Sequence, residues 1–191
     1  LGYSVPVNAR NGALNFRYSN NNSKIIESDF EELGIRSDSE SFSVAFRQPI
    51  IQTVQSELGL GIGFDVRRSQ TYLLDNIPFS FSEGPEDGKS RVAVIRLTQD
   101  WVKRDATSVL AARSQFSLSI DAFDATINDS GTDGRFFSWL GQFQWVQQLS
   151  PRTLMLARLN TQLTPNSLLS LEKLSLGGVD TVRGYRQNQL V

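Results

Sequence analysis

The sequence predicts an all-β protein: an antiparallel, up-and-down transmembrane β-barrel, of which these 191 residues form a part. Three observations predict it. Apolar and polar residues alternate with a period of two in stretch after stretch. These stretches run to about 9–15 residues, longer than the roughly 5–6 usual in globular sheets and suited to a tilted membrane crossing. The connections alternate short and long, as in outer-membrane barrels with short periplasmic turns and longer extracellular loops. The competing architecture, a soluble sandwich or barrel with its apolar face inward, gives no reason for that rhythm.

Taken in order, residues 3–7 and 14–18 alternate weakly and predict strands near 2–8 and 12–19. Asn8-Ala9-Arg10-Asn11-Gly12 between them is rich in residues that tolerate turn backbones. Residues 20–39 are expected as a long loop opened by Asn20-Asn21-Asn22, with a hairpin or short helix at 29–33. A strand near 40–48 follows from the pattern of 42–46. In 57–66 one face reads Leu58, Leu60, Ile62, Phe64, Val66 and the other Glu57, Gly59, Gly61, Gly63, Asp65. A long loop at 68–89 precedes a weaker strand near 90–102. The stretch 110–121 sets Leu110, Phe116, Leu118 and Ile120 against Arg113, Gln115, Ser117, Ser119 and Asp121. After a loop at 122–134 containing Asn128-Asp129-Ser130-Gly131, residues 137–148 set Phe137, Trp139, Phe143 and Trp145 against Ser138, Gln142, Gln144 and Gln148. Residues 155–163 set Met155, Ala157, Leu159 and Leu163 against Arg158, Asn160 and Gln162. Eight strands result. Those near 2–8, 40–48, 90–102 and 135–149 should descend to the periplasm, and the others rise.

Eight strands could close a small filled barrel. The polar faces, however, carry Arg47, Glu57, Asp65, Arg67, Arg96, Asp100, Arg113, Asp121 and Arg158, charges of both signs that suit the hydrated lumen of a wider one. Gly59, Gly61 and Gly63 leave one strip of that face without side chains, either for close packing or simply for curvature. Trp101, Trp139, Trp145 and Tyr3 are candidates for interfacial aromatic girdles.

The composition narrows function by exclusion. With no histidine and no cysteine, Ser-His-Asp and Cys-His catalysis, disulfides and thiolate metal sites are ruled out. No phosphate-binding glycine loop is present. A net charge of −1 without a basic stripe argues against nucleic acid. The acidic cluster Glu27, Asp29, Glu31, Glu32 matches no calcium-loop spacing and reads as a solvated face. Mean hydropathy is −0.26 and no apolar run is long enough for a membrane helix, which a barrel does not require. No enzyme activity, cofactor or metal is expected.

The most specific signal comes last. Leu174-Ser175-Leu176-Gly177-Gly178-Val179-Asp180-Thr181-Val182-Arg183-Gly184-Tyr185 resembles the Leu-Gly-Gly … Val-Arg-Gly-Tyr signature in the long sixth extracellular loop of the Omp85 superfamily. Tyr185, with Gly177-Gly178 and Asp180-Thr181 ahead of it, leans toward the two-partner-secretion transporters (FhaC/ShlB-like, hemolysin activation/secretion). Pro6 and the Arg47-Gln48-Pro49-Ile50 stretch resemble the proline-bearing strand ends of that family. The resemblance implies strands four to eleven of a sixteen-stranded monomeric barrel, with residues 165–191 in the sixth loop. POTRA domains, a plug helix and the remaining strands would lie outside residues 1–191.

It also implies an outer-membrane translocation pore, in a Gram-negative-type bacterium or cyanobacterium, that secretes a TpsA-like exoprotein (hemolysin- or adhesin-like) across the lipid bilayer. By the same carry-over Arg183 anchors the loop in the lumen, Gly184 lets the backbone pass tightly and Tyr185 packs the tip. The partner carboxylate is expected beyond residue 191. An Omp85-type assembly factor and a passive porin-like channel are the alternatives.

Overall fold

The computed structural model describes residues 1–24, 33–74, 76–127, 132 and 134–174. Nine strands run as β1 (Gly2–Pro6), β2 (Ala13–Lys24), β3 (Arg36–Gln52), β4 (Ser56–Leu73), β5 (Ile77–Pro78), β6 (Lys89–Arg104), β7 (Ser108–Ile120), β8 (Phe137–Ser150) and β9 (Thr153–Leu163). They form one antiparallel sheet in the order β1-β2-β3-β4-β6-β7-β8-β9, with β5 added to the end of β4. Each long strand pairs with the next in sequence, so every connection is local. Alternation within a strand then becomes a two-faced sheet, because register keeps like positions on one side.

Four tight connections lie at one end of the strands: 7–12, 53–55, 105–107 and 151–152. The first is closed by one side chain. Asn8 Oδ1 accepts hydrogen bonds from the backbone N–H groups of Arg10 (3.0 Å) and Gly12 (2.8 Å), while its Nδ2 donates to Gln48 on β3. Pro6 ends an edge strand, and Pro49 sits where the β3–β4 register shifts. Both are places where a missing N–H costs the ladder nothing.

The structure corrects the expected fold class. Among the described residues β1 pairs only with β2 and β9 only with β8, so the sheet stays open and no barrel is closed. The period-two pattern settles which way side chains point, but closure requires the first and last strands to meet, and no residue pattern encodes that. No helix among the described residues is long and apolar enough to cross a membrane.

Strand ends differ as well. Asn20, Asn21 and Asn22 are not a turn: they pair with Glu40, Ser39 and Asp38, and the hairpin extends to Lys24↔Arg36. A ladder satisfying every backbone group outweighs asparagine's weak preference for turns. Likewise β4 runs on to Leu73, and β5 occupies part of the expected 68–89 loop. The acidic cluster at 27–32 and Asn128-Asp129-Ser130 lie outside the described residues.

The small buried core is not where the alternation placed apolar residues. Val92, Val94, Phe136, Leu168 and Leu169 form it, on the polar face at the end opposite the tight turns. Leu168 and Leu169 come from the segment after β9, which folds back over β6. Gly84, at φ +104°, lies directly against Leu169, where a Cβ would come within 2.8 Å of the leucine Cδ2. On the opposite face residues 122–126 cover β4 and β6, with Phe123 against Phe64 of β4 at a ring-centroid distance of 5.6 Å and Asp124 against Arg91 of β6. Ala93 is thereby buried too.

Asn8→Ala removes both acceptor bonds of the first turn and is expected to destabilise the protein by about 1–2 kcal/mol, seen as a lower urea midpoint and faster amide exchange at Gly12. An unchanged midpoint would show that the turn does not depend on that side chain.

Candidate functional site

The sheet has two unlike faces. One carries Phe16, Phe42, Leu60, Ile62, Leu97, Trp101, Phe116, Leu118, Phe143 and Leu159; Ile62 and Leu97 are about half exposed, at 53% and 51%. Trp101 and Trp139 lie on it, their indole N–H groups donating to Ser56 and Ser114. The opposite face lines a hollow of about 850 Å³ that extends from Gly2 on β1 to Gln115 on β7. Two ion-pair clusters stand in it.

The upper cluster centres on Arg96 of β6, only 9% exposed. Cross-strand register places it opposite Gly63 on β4 and Ser117 on β7. Its Nε donates to Asp65, its Nη1 to Ser117 Oγ at 2.7 Å, and its Nη2 to both carboxylate oxygens of Glu172 at 2.8 and 2.9 Å. Glu172 belongs to the short 3-10 turn Ser170–Glu172 beyond β9 and is itself buried. Arg67 approaches the same carboxylate at 3.4 Å and donates to the Leu171 carbonyl. Burial by itself would lower the Arg96 pKa, but the attraction and hydrogen bonds of Glu172 and Asp65 outweigh it and raise the value above the ordinary one. Arg96 is therefore a fixed positive charge.

The lower cluster crosses four strands. Arg47 on β3 bridges Glu57 (2.7 Å) and Asp100 (3.8 Å), and Arg113 on β7 reaches Asp100 at 3.4 Å. The glycine strip explains how. A Cβ at Gly59 would lie 2.7 Å from Arg47 Nη2, so the guanidinium occupies the space that a side chain there would fill. At Gly61 a Cβ would meet Thr98 Oγ1, and at Gly63 the Ala45 methyl. Gly59 and Gly61 seat polar side chains of neighbouring strands, and Gly63 seats a methyl group.

Of the residues the sequence singled out, the structure gathers Asp65, Arg67 and Arg96 into one cluster and Arg47, Glu57, Asp100 and Arg113 into the other, with Gly59, Gly61 and Gly63 beside them. Asp121 sits in an exposed bend after β7, outside both. Arg158 on β9 pairs in register with Gln144 and joins neither. Leu176, Gly177, Gly178, Asp180, Val182, Arg183, Gly184 and Tyr185 lie outside the described residues. Sequence reasoning missed Glu172, yet a signal existed. It is the one acidic residue between Asp133 and Asp180. Reasoning from alternation also missed the covered patch, although the run Val92-Ala93-Val94-Ile95 breaks the period and is apolar on both faces, the mark of a doubly buried strand.

The family described as haemolysin secretion/activation protein ShlB/FhaC/HecB matches residues 1–191. The chain belongs to this family. Its members are non-catalytic, so the ShlB/FhaC/HecB-family chain is not an enzyme, and membership sets it among outer-membrane-associated proteins of two-partner-secretion-like systems. Among solved structures it is similar to CdiB from Escherichia coli, with a TM-score of 0.78 at 20% identity over 97% of this chain. That likeness speaks for the fold alone. The chain spans 34% of the CdiB chain. No curated protein matches the sequence.

The structure corrects the expected function as it does the fold. The described strands enclose no lumen, so neither the expected translocation pore nor the porin-like channel is formed among the described residues; the charged face lines an open hollow.

Arg96→Ala strands the carboxylates of Glu172 and Asp65 and is expected to cost about 3–5 kcal/mol, as for breaking a buried pair. Arg113→Ala, half exposed, should cost at most about 1 kcal/mol. Urea denaturation of the intact protein compares them, and equal midpoints would contradict the ranking. A Gly59→Val substitution should push Arg47 off Glu57 and bring the coupling of that pair, read from a double-mutant cycle, close to zero.

Proposed function

We propose that this ShlB/FhaC/HecB-family chain is the part of an outer-membrane two-partner-secretion protein that meets a secreted exoprotein of the TpsA kind, hemolysin- or adhesin-like. The match to the secretion/activation family over residues 1–191 carries the reading. The two faces of the sheet supply its physical content. The exposed apolar face suits the lipid of the outer membrane of a Gram-negative-type bacterium or cyanobacterium, since so large an unpartnered apolar surface is costly in water. The opposite face is wet and carries both signs of charge, so it can contact an unfolded polypeptide through water and ion pairs without a dry surface on which the polypeptide would stick.

In this reading the Val182-Arg183-Gly184-Tyr185 motif anchors the end of the segment that follows β9. Arg183 forks onto a carboxylate outside residues 1–191, as guanidinium does bidentately. Gly184 permits close passage, Tyr185 packs, and Leu176, Gly177, Gly178 and Asp180 form the approach.

Arg183→Ala in the intact protein is expected to cut secretion of the exoprotein severely while leaving the amount of protein in the outer-membrane fraction unchanged. Immunoblotting of medium and membrane fractions measures both. Normal secretion by the variant would remove the motif from the function.

A further inference from the structure

On the apolar face of the sheet, charged residues stand only toward the two ends of the described strands. At the upper end Glu40, Arg68 and Arg91 share one cross-strand row. At the lower end, beside the tight connections, stands Lys103. Between those rows every described strand position on this face is apolar, small or neutral. The neighbours of Lys103 in register are Ser56 and Leu110, both neutral, and its exposed ammonium has no partner among the described residues. Asp105, in the turn that follows, accepts instead from Ser108 Oγ at 3.3 Å.

Just above Lys103 the same face is indented. Register sets Gln99, Ser114, Gly141 and Thr161 in one row, so three small side chains follow one another on β7, β8 and β9. The adjoining rows are bulkier. Below stand Trp101, Phe143 and Leu159, with Ala112 between the first two, and above stands Trp139. The slot between these rows has a volume of about 360 Å³, within the roughly 300–1,000 Å³ usual for ligand pockets. Its walls are fixed. The Trp139 indole N–H donates to Ser114 Oγ at 2.9 Å, and the ring lies against Gly141, where any Cβ would meet it. The Trp101 N–H donates to Ser56 Oγ at 3.2 Å. The protein therefore shapes the slot before anything enters it.

We infer that the slot and Lys103 form a seat for one glycerophospholipid, with an acyl chain in the slot and the phosphate on the Lys103 ammonium. This rests on the reading above that the apolar face meets lipid. The two parts of the site select the ligand. A hydrocarbon chain fills an apolar-walled slot without burying an unpaired polar group, and an unpartnered ammonium beyond the rim attracts an anion. Trp101 and Lys103 are two strand positions apart, about 7 Å, which leaves room for the glycerol ester linkage between chain and phosphate. Tryptophan is also the residue type favoured where hydrocarbon gives way to headgroup. The upper end of the face fits a phosphate less well, because Glu40 shares the row with Arg68 and Asp124 holds Arg91 at 3.1 Å.

The intact protein, purified in a non-ionic detergent and washed free of native lipid, is titrated with dioleoylphosphatidylethanolamine, and bound lipid is counted by native mass spectrometry. One lipid per chain should be retained at the lowest concentrations. Lys103→Gln, at an exposed position, should weaken that retention about fivefold, the effect of one cation near a headgroup, and Lys103→Arg should keep it. Ala112→Phe, which fills the slot from its lower rim, should abolish it. Leu118→Phe, on the same face outside the slot, should not. Dioleoylglycerol, which has the chains without the phosphate, should bind the unaltered protein and Lys103→Gln alike. Retention unchanged by Lys103→Gln, or unchanged by Ala112→Phe, overturns the inference. So does tighter binding of oleate than of the phospholipid, or a dimer mass that Ala112→Phe abolishes; these would give the slot to a free fatty acid or to a second copy of the chain. No exoprotein enters the measurement, so the seat can fail while the secretion reading stands, and normal secretion by Arg183→Ala would leave the seat untouched.

Discussion

The guanidinium of Arg96 is the interaction on which the described structure turns. It joins parts of the chain that are far apart in sequence: Asp65 is 31 positions away, Ser117 is 21 and Glu172 is 76. A buried ion pair adds little net stability, because the desolvation of both partners offsets most of their attraction. What it adds here is selectivity. Three groups converge on one planar fork, and only one arrangement of β4, β6, β7 and the returning segment satisfies all of them. The leucines beside it supply apolar burial.

The second constraint is the division of the sheet into unlike faces. On one side apolar residues stand unpartnered among the described residues. On the other, charges of both signs are arranged so that most find a partner across a strand. Gly59 shows how tightly the second arrangement is drawn, since the missing side chain there is the space in which Arg47 reaches between Glu57 and Asp100. The surface is charged enough to stay hydrated, and its charges are largely paired with one another. The short turns at one end and the longer excursions at the other keep the two clusters apart, the upper one beneath the returning segment and the lower one near the tight connections.

Much of this was legible before any coordinates. The strong alternation in 57–66, 110–121, 137–148 and 155–163 named strands and assigned faces correctly because side-chain direction in a strand follows from position parity alone. Arg47, Glu57, Asp65, Arg96, Asp100 and Arg113 could therefore be placed on one face without knowing which would meet. Where the pattern failed, the reason is physical in each case. Asn20–22 looked like a turn, yet they lie in a ladder extended by pairing with 38–40. Closure of the sheet was expected from strand length and loop rhythm, but neither property says whether the outermost strands find each other. Val92 and Val94 sat on a face read as polar, and only the returning segment makes them a core.

The sequence by itself determined the strands, their faces, the absence of histidine and cysteine chemistry, and the motif through which the family could be suspected. These are local properties: parity, composition and a contiguous run of residues. Only the tertiary structure decided that the sheet stays open, that Arg47 lies over Gly59, and that Glu172, the lone carboxylate in a long stretch, lands on Arg96. Such contacts depend on inter-strand register and on a chain reversal. Both are set by the summed pairing of many residues, and no single segment of sequence contains them.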